Sequence, residues 1–278
     1  MPAGIDDMPA GIDGKLTDLR RVLARLDRVV VAFSGGVDSA LLASVAHHTL
    51  GPERALCVTA VSPSLPGFEH DDCAALAQEW RLRWSEVGTE EMAAAAYRRN
   101  DHDRCFHCKD ALMEALAPLA DGESATVVLG VNVDDLGDHR PGQRAAAEAG
   151  ARFPLVEAGF TKADVRAASQ QLGLRTWDKP AAACLASRLP YGTPVSVGLL
   201  AEVERAETAL RALGFRALRV RHYGDLARLE VPLDTLEAVL AERAAVVAAV
   251  RDAGYRYVTL DLEGLRSGNL NTGAPIPI

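Results

Sequence analysis

The chain has 278 residues and a formal net charge of −8, with 49% hydrophobic and 24% charged residues. That balance fits a soluble globular protein of one large or two modest domains and leaves no case for disorder along the whole chain. No apolar run approaches the ~20 residues of a membrane-spanning helix, no secretory signal pattern opens the chain, and the acidic excess argues against general attraction to nucleic acid.

The hexapeptide MPAGID at 1–6 recurs at 8–13, so residues 1–14 read as a flexible tail. From 15 to 180 short apolar runs alternate with amphipathic stretches. Leu16–Leu26 reads as a helix, Arg28–Phe33 as a strand buried on both faces, and Ser39–Leu50 as a helix. Arg54–Val61 is the next strand, His70–Trp80 a helix and Arg83–Val87 a strand. Cys105–Leu119 reads as a helix and Thr126–Gly130 as a buried strand. This alternation predicts an α/β fold: a parallel sheet with helices on both faces and ligands at the carboxyl ends of its strands. The segment Trp177–Pro194, with Pro180, Pro190, Gly192 and Pro194, reads as a hinge. Residues 181–278 then form a smaller α+β domain. Its elements are a helix over Ser196–Leu213, strands at Arg216–Val220 and Ala227–Val231, a helix over Leu233–Ala253, and a last strand at Tyr255–Leu260.

The motif Ser34-Gly35-Gly36-Val37-Asp38-Ser39 follows a buried strand and opens a helix. Adjacent glycines let the backbone turn its N–H groups onto an anion. The helix start adds about half a positive charge, and Ser34 and Ser39 offer hydroxyls. The lysine of a Walker loop is missing. The motif resembles the loop of the PP-loop ATP pyrophosphatases. The resemblance implies cleavage of ATP between its α and β phosphates with adenylation of a substrate oxygen. Ser34, Gly35, Gly36, Asp38, Ser39 and Gly130 would hold ATP, with Asp38 facing the nucleotide or its Mg2+. Asp134 and Asp135 follow the strand end at Gly130, and His139 and Arg140 are further candidate phosphate contacts.

The chain has five cysteines, which does not fit a secreted disulfide framework and points to a reducing cytoplasm. Cys57 and Cys73 lie on apolar faces and read as packing residues. Cys105 and Cys108 form a C-x-x-C at a helix start, which favours thiolate; a second pair for a four-cysteine zinc site is missing. Cys184 sits in the Pro/Gly-punctuated segment beside Arg188, where a reactive thiol is expected. Arg219 and Arg221 alternate on a strand and so share a face. Guanidinium forks of this kind suit phosphate.

Beyond the loop, DDLGDHRPG at 134–142, CLASRLPYGT at 184–193, LRVRHYGDLARLEV at 218–231 and GYRYVTLDLEGLRSGNLN at 254–271 resemble the LarE family of PP-loop sulfurtransferases over nearly the whole chain from about residue 15. The resemblance implies that 15–180 is the ATP-binding domain and 181–278 a domain for substrate binding and oligomerisation. It implies a substrate, the mononucleotide of pyridinium-3,5-biscarboxylic acid, whose carboxylates are adenylated and converted to thiocarboxylates on the way to a nickel-pincer nucleotide cofactor. Ser187, Arg188, Glu207, Arg219 and Arg221 would hold that substrate. Within the family, sulfur comes either from a sacrificed cysteine or from sulfide on a 4Fe-4S cluster held by three cysteines. Cys105, Cys108 and Cys184 match the cluster form and so count, with Asp38, as the catalytic set. Cys184 as a sacrificial donor, and thiolation of tRNA, are the alternatives. An amide-forming synthetase and a non-catalytic nucleotide sensor are more distant ones. The expected partners are the mononucleotide, sulfide or another sulfur donor, and further copies of the chain, with no nucleic acid and no membrane.

Overall fold

A computed structural model describes residues 11–137, 141–180 and 183–266. Residues 1–10 of the duplicated start, His139, Arg140 and the stretch from 267 onward lie outside the described residues. In chain order the helices are α1 (Ile12–Leu26), α2 (Val37–Leu50), α3 (Gly67–Glu79), α4 (Ala95–Arg98), α5 (Arg104–Glu123), α6 (Pro141–Glu148), α7 (Pro154–Glu157), α8 (Lys162–Gln171), α9 (Val197–Ala212), α10 (Leu236–Ala241) and α11 (Arg243–Asp252). The strands are β1 (Val29–Ala32), β2 (Ala55–Val61), β3 (Arg83–Gly88), β4 (Thr126–Leu129), β5 (Arg219–Tyr223), β6 (Leu226–Glu230) and β7 (Tyr257–Leu260). No helix among the described residues is long and apolar enough to cross a membrane.

The chain divides into two compact units. The first comprises Met1–Ala60, Asp71–Thr89 and Lys109–Lys179. Its sheet runs β3-β2-β1-β4, with β1 parallel to both neighbours, Val29 lying opposite Ala55 and Thr126. Successive residues of a strand point to opposite faces, and here both faces are buried. Val29, Val31 and Cys57 pack with Leu16, Leu19 and Leu23 of α1 and with the apolar residues of α2. Val30, Leu56 and Val58 pack instead with Leu112, Met113 and Leu116 of α5. This explains the unbroken apolar runs in the sequence. The expected α/β fold, with helices on both faces of a parallel sheet, is what forms. Cys57 and Cys73 are fully buried in this core, and burial pushes the Cys57 thiol up to about 12.

The second unit comprises Val61–His70, Glu90–Cys108 and Pro180–Ile278. Strands β5 and β6 pair antiparallel and β6 and β7 parallel, giving a small mixed sheet. Leu210 of α9, Val239 of α10 and Val246 and Val250 of α11 cover it. A second apolar cluster gathers Tyr97, Leu185, Ala186, Leu189, Val195, Leu200 and Val203. The sequence pattern assigns 61–70 and 90–108 to the first domain. They group instead with the later residues through backbone bonds such as Leu185 N–H to Ser64 O (2.8 Å), Gly192 N–H to Asn100 O (3.0 Å) and Val195 N–H to Arg98 O (2.8 Å). Contacts of that range leave no trace in local periodicity. The helix expected over Leu233–Ala253 is also interrupted. A 3-10 turn at Leu233–Thr235 precedes α10, and Glu242, at φ −93° and ψ 17°, separates α10 from α11.

Candidate functional site

In the first unit, Ser34–Ser39 joins β1 to the start of α2, between the strands where the order reverses, β1 and β4. That is where open α/β sheets bind ligands. Gly35 adopts φ +66°, a conformation that glycine takes without strain. The Ser39 hydroxyl is buried and sits 3.1 Å from the Ser34 hydroxyl; it donates to Gly36 O (3.1 Å) and accepts from Ser34 N–H (3.3 Å). These bonds close the loop on itself. Gly130 lies against the loop: a Cβ there would lie 2.6 Å from Ser39 N and 2.8 Å from the Asp38 carbonyl carbon. Its missing side chain lets the end of β4 close against the first turn of α2.

Three residues around this loop carry no signal in the sequence. Asn132 is fully buried; its amide donates to Asp38 Oδ1 (3.0 Å), and its Oδ1 accepts the Asp134 N–H (3.0 Å). Lys162 opens α8 behind a capping box formed by Thr161 and Asp164, and its ammonium pairs with Asp38 Oδ2. Lys179 donates to Gly35 O (3.1 Å) and pairs with Asp72 (2.6 Å), which also takes Arg175 (2.7 Å). Burial raises the Asp72 carboxyl, but hydrogen bonds from Lys179 and Arg175 outweigh it and hold the group below its ordinary value. The positive charge missing from the motif is thus supplied from positions far along the chain. Asp134 and Asp135 serve the backbone here: they accept the N–H of Lys162 (2.8 Å) and of Asn132 (3.2 Å).

The thiols at 105, 108 and 184 all belong to the second unit. Arg104, buried at 6% exposure, donates from Nη1 to Asn100 Oδ1 (2.5 Å) and to Ala186 O (2.8 Å). Asn100, at φ +57° and fully buried, donates on to Pro190 O (2.8 Å) and Thr193 O (2.9 Å). The start of α5, which carries Cys105 and Cys108, is therefore tied to the segment that carries Cys184. Cys108 and Cys184 both pack against the Tyr97 cluster, while Cys105 is exposed. Burial lowers the Arg104 guanidinium, but the nearby Cys184 and Cys105 more than reverse this and raise it. The Tyr97 hydroxyl, 2.5 Å from Ser64 Oγ, is raised by burial and then by Cys184. By chemistry the three thiols suit a cluster with one open iron. Among the described residues, however, no three His, Cys, Asp or Glu side chains are grouped to hold a metal ion.

Arg188 and Arg221 are buried rather than solvated. Arg188 is 3% exposed and forks onto Glu207 (2.8 and 3.1 Å), while its Nη1 donates to Ala183 O (2.6 Å), Cys184 O (3.2 Å) and Ser187 Oγ (3.1 Å). Glu207 also accepts the Val220 N–H (3.0 Å). Arg221 pairs with buried Glu230 (2.9 Å) and donates to Ser187 O (2.7 Å). Arg219 differs. Among the described residues it pairs with no carboxylate, and its Nη1 donates to Arg266 O (3.1 Å). Burial, then repulsion from Arg221 and Arg188, lowers its guanidinium. A cation in that position gains most from an incoming anion.

Residues 19–115 match the NAD synthase family model. Over 263 residues the chain is 46% identical to an uncharacterized protein of Synechocystis, covering 94% of this chain and 98% of that one. Over 258 residues it is 39% identical to the pyridinium-3,5-bisthiocarboxylic acid mononucleotide synthase of Lactiplantibacillus plantarum, covering 92% and 94% respectively. An uncharacterized protein of Methanocaldococcus jannaschii is 27% identical over 241 residues, covering 86% and 91%.

Proposed function

The chain belongs to the LarE family of PP-loop sulfurtransferases, and on that premise we propose that it inserts sulfur, at the expense of ATP, into pyridinium-3,5-biscarboxylic acid mononucleotide. The observation that carries this reading is the S-G-G-V-D-S loop at the reversal of strand order, in a chain 39% identical to the Lactiplantibacillus synthase across 92% of its length.

In this reading the first unit performs the adenylation. Loop N–H groups and the start of α2 receive the phosphates of MgATP, and Asp38, oriented by Asn132, faces the nucleotide or its Mg2+. A ring carboxylate oxygen attacks the α-phosphorus, pyrophosphate leaves, and an acyl-adenylate forms. Sulfur then attacks the acyl carbon, AMP leaves, and a thiocarboxylate remains; a second round treats the other carboxylate. The second unit handles substrate and sulfur. Arg219 meets the substrate phosphate, a match of guanidinium to phosphate oxygens. Arg188, Arg221, Glu207 and Ser187 fix the segment that carries Cys184. Cys105, Cys108 and Cys184 would be the ligands of a 4Fe-4S cluster, which would supply the sulfide. Arg104 places its fixed positive charge beside Cys105 and Cys184, which steadies anionic sulfur.

The test is to add the dicarboxylate mononucleotide and sulfide to anaerobically purified protein with MgATP. AMP, pyrophosphate and a product heavier by the exchange of oxygen for sulfur are expected together. Asp38→Ala should cut AMP formation about 100-fold, the scale of losing one electrostatic contact to reacting phosphate. AMP release independent of the mononucleotide would sink the reading.

A further inference from the structure

The anion loop contains no lysine, yet a leaving pyrophosphate needs more than the half charge of a helix start. Two ammonium groups touch the loop region, and they differ in what their departure would cost. Lys162 is the one cation on Asp38 among the described residues, since the other partner of that carboxylate is the neutral amide of Asn132. Drawing Lys162 away would leave Asp38 to depend on an incoming Mg2+ for its counter-charge. Lys179 shares Asp72 with Arg175, at 2.6 and 2.7 Å. If Lys179 moves to a phosphate, Asp72 keeps a cation, and the penalty for an uncompensated, partly buried charge does not arise. Lys179 also touches the turn itself: its Nζ is 3.1 Å from Gly35 O, and a Cβ on Gly35 would lie 3.7 Å from it.

Resting on the adenylating role above, we infer that Lys179 is the residue that grips the departing pyrophosphate, and that Asp72, backed by Arg175, holds it against the loop until then. The position of Lys179, 144 residues after Gly35, explains why no local motif announces it.

The experiment is calorimetric titration of the intact chain with magnesium pyrophosphate and, separately, with AMP. Lys179→Met should weaken pyrophosphate binding at least about tenfold, the loss expected for a charge-assisted contact, while AMP affinity stays within about twofold. Lys179→Arg should restore most of the loss. Asp72→Asn, which releases the ammonium, should tighten pyrophosphate binding a few-fold, a sign that generalised unfolding cannot produce. Wild-type affinity for pyrophosphate in Lys179→Met, or its loss in Lys162→Met alone, would overturn the inference and leave the adenylating role intact. A wild-type chain that binds no pyrophosphate would remove both.

Discussion

The anion loop of the first unit and the arginine cluster of the second both gather positive charge, by opposite means. The loop uses backbone N–H groups, glycine and the start of α2, all within six consecutive residues. Its charge is partial and carries no heavy desolvation cost. The cluster uses whole guanidinium groups from Arg188, Arg219, Arg221 and Arg228, brought from three separate segments. Burying them requires Glu207, Glu230 and Asp261 as partners. Most of that cluster is therefore held by carboxylates, and Arg219 is the member without one among the described residues. A motif that looks basic in sequence is thus largely neutralised by its own fold, whereas one that looks neutral offers backbone N–H groups of the kind that suit phosphate.

The sharpest way to break the division between the units is to remove thiols. Cys105→Ala, Cys108→Ala or Cys184→Ala should each abolish thiocarboxylate formation, followed by mass spectrometry, while pyrophosphate release persists. Loss confined to Cys184→Ala, with that cysteine lighter by the mass of hydrogen sulfide after turnover, would assign the sulfur to a sacrificed side chain. Next, Arg188→Ala should act on stability. It strands Glu207, 1% exposed, as an unpaired buried charge, a loss of about 3–5 kcal/mol visible in urea unfolding. Arg188→Ala that unfolds like wild type would mean the ion pair is not structural. The smallest effect sharpens the contrast: Arg219→Ala should leave unfolding nearly unchanged but raise the KM for the mononucleotide about tenfold, as for one lost charge-assisted bond. Equal KM would leave the cluster without its proposed ligand contact.

Much of the first unit is legible without coordinates. Strands buried on both faces write themselves as apolar runs, and the loop is contiguous because backbone geometry is local. Asn132, Lys162 and Lys179 are not legible, since a lone Asn or Lys carries no period and acquires meaning only from what it meets. Gly130 stands out in the sequence as a strand end near ATP; what the structure adds is the space it leaves for Ser39 and Asp38. In the second unit the residue types are visible, but their pairing is not. Nothing in the spacing says that Arg188 takes Glu207 and Arg221 takes Glu230, or that Arg104 joins the C-x-x-C helix to the Cys184 segment.

The sequence by itself determined the alternation of strand and helix, the anion loop and the inventory of thiols, because these follow from periodicity and from short stretches of backbone. The tertiary structure alone decided which charges are cancelled and which stay available, because the energy of a charge depends on its burial and on partners that the chain brings from far away.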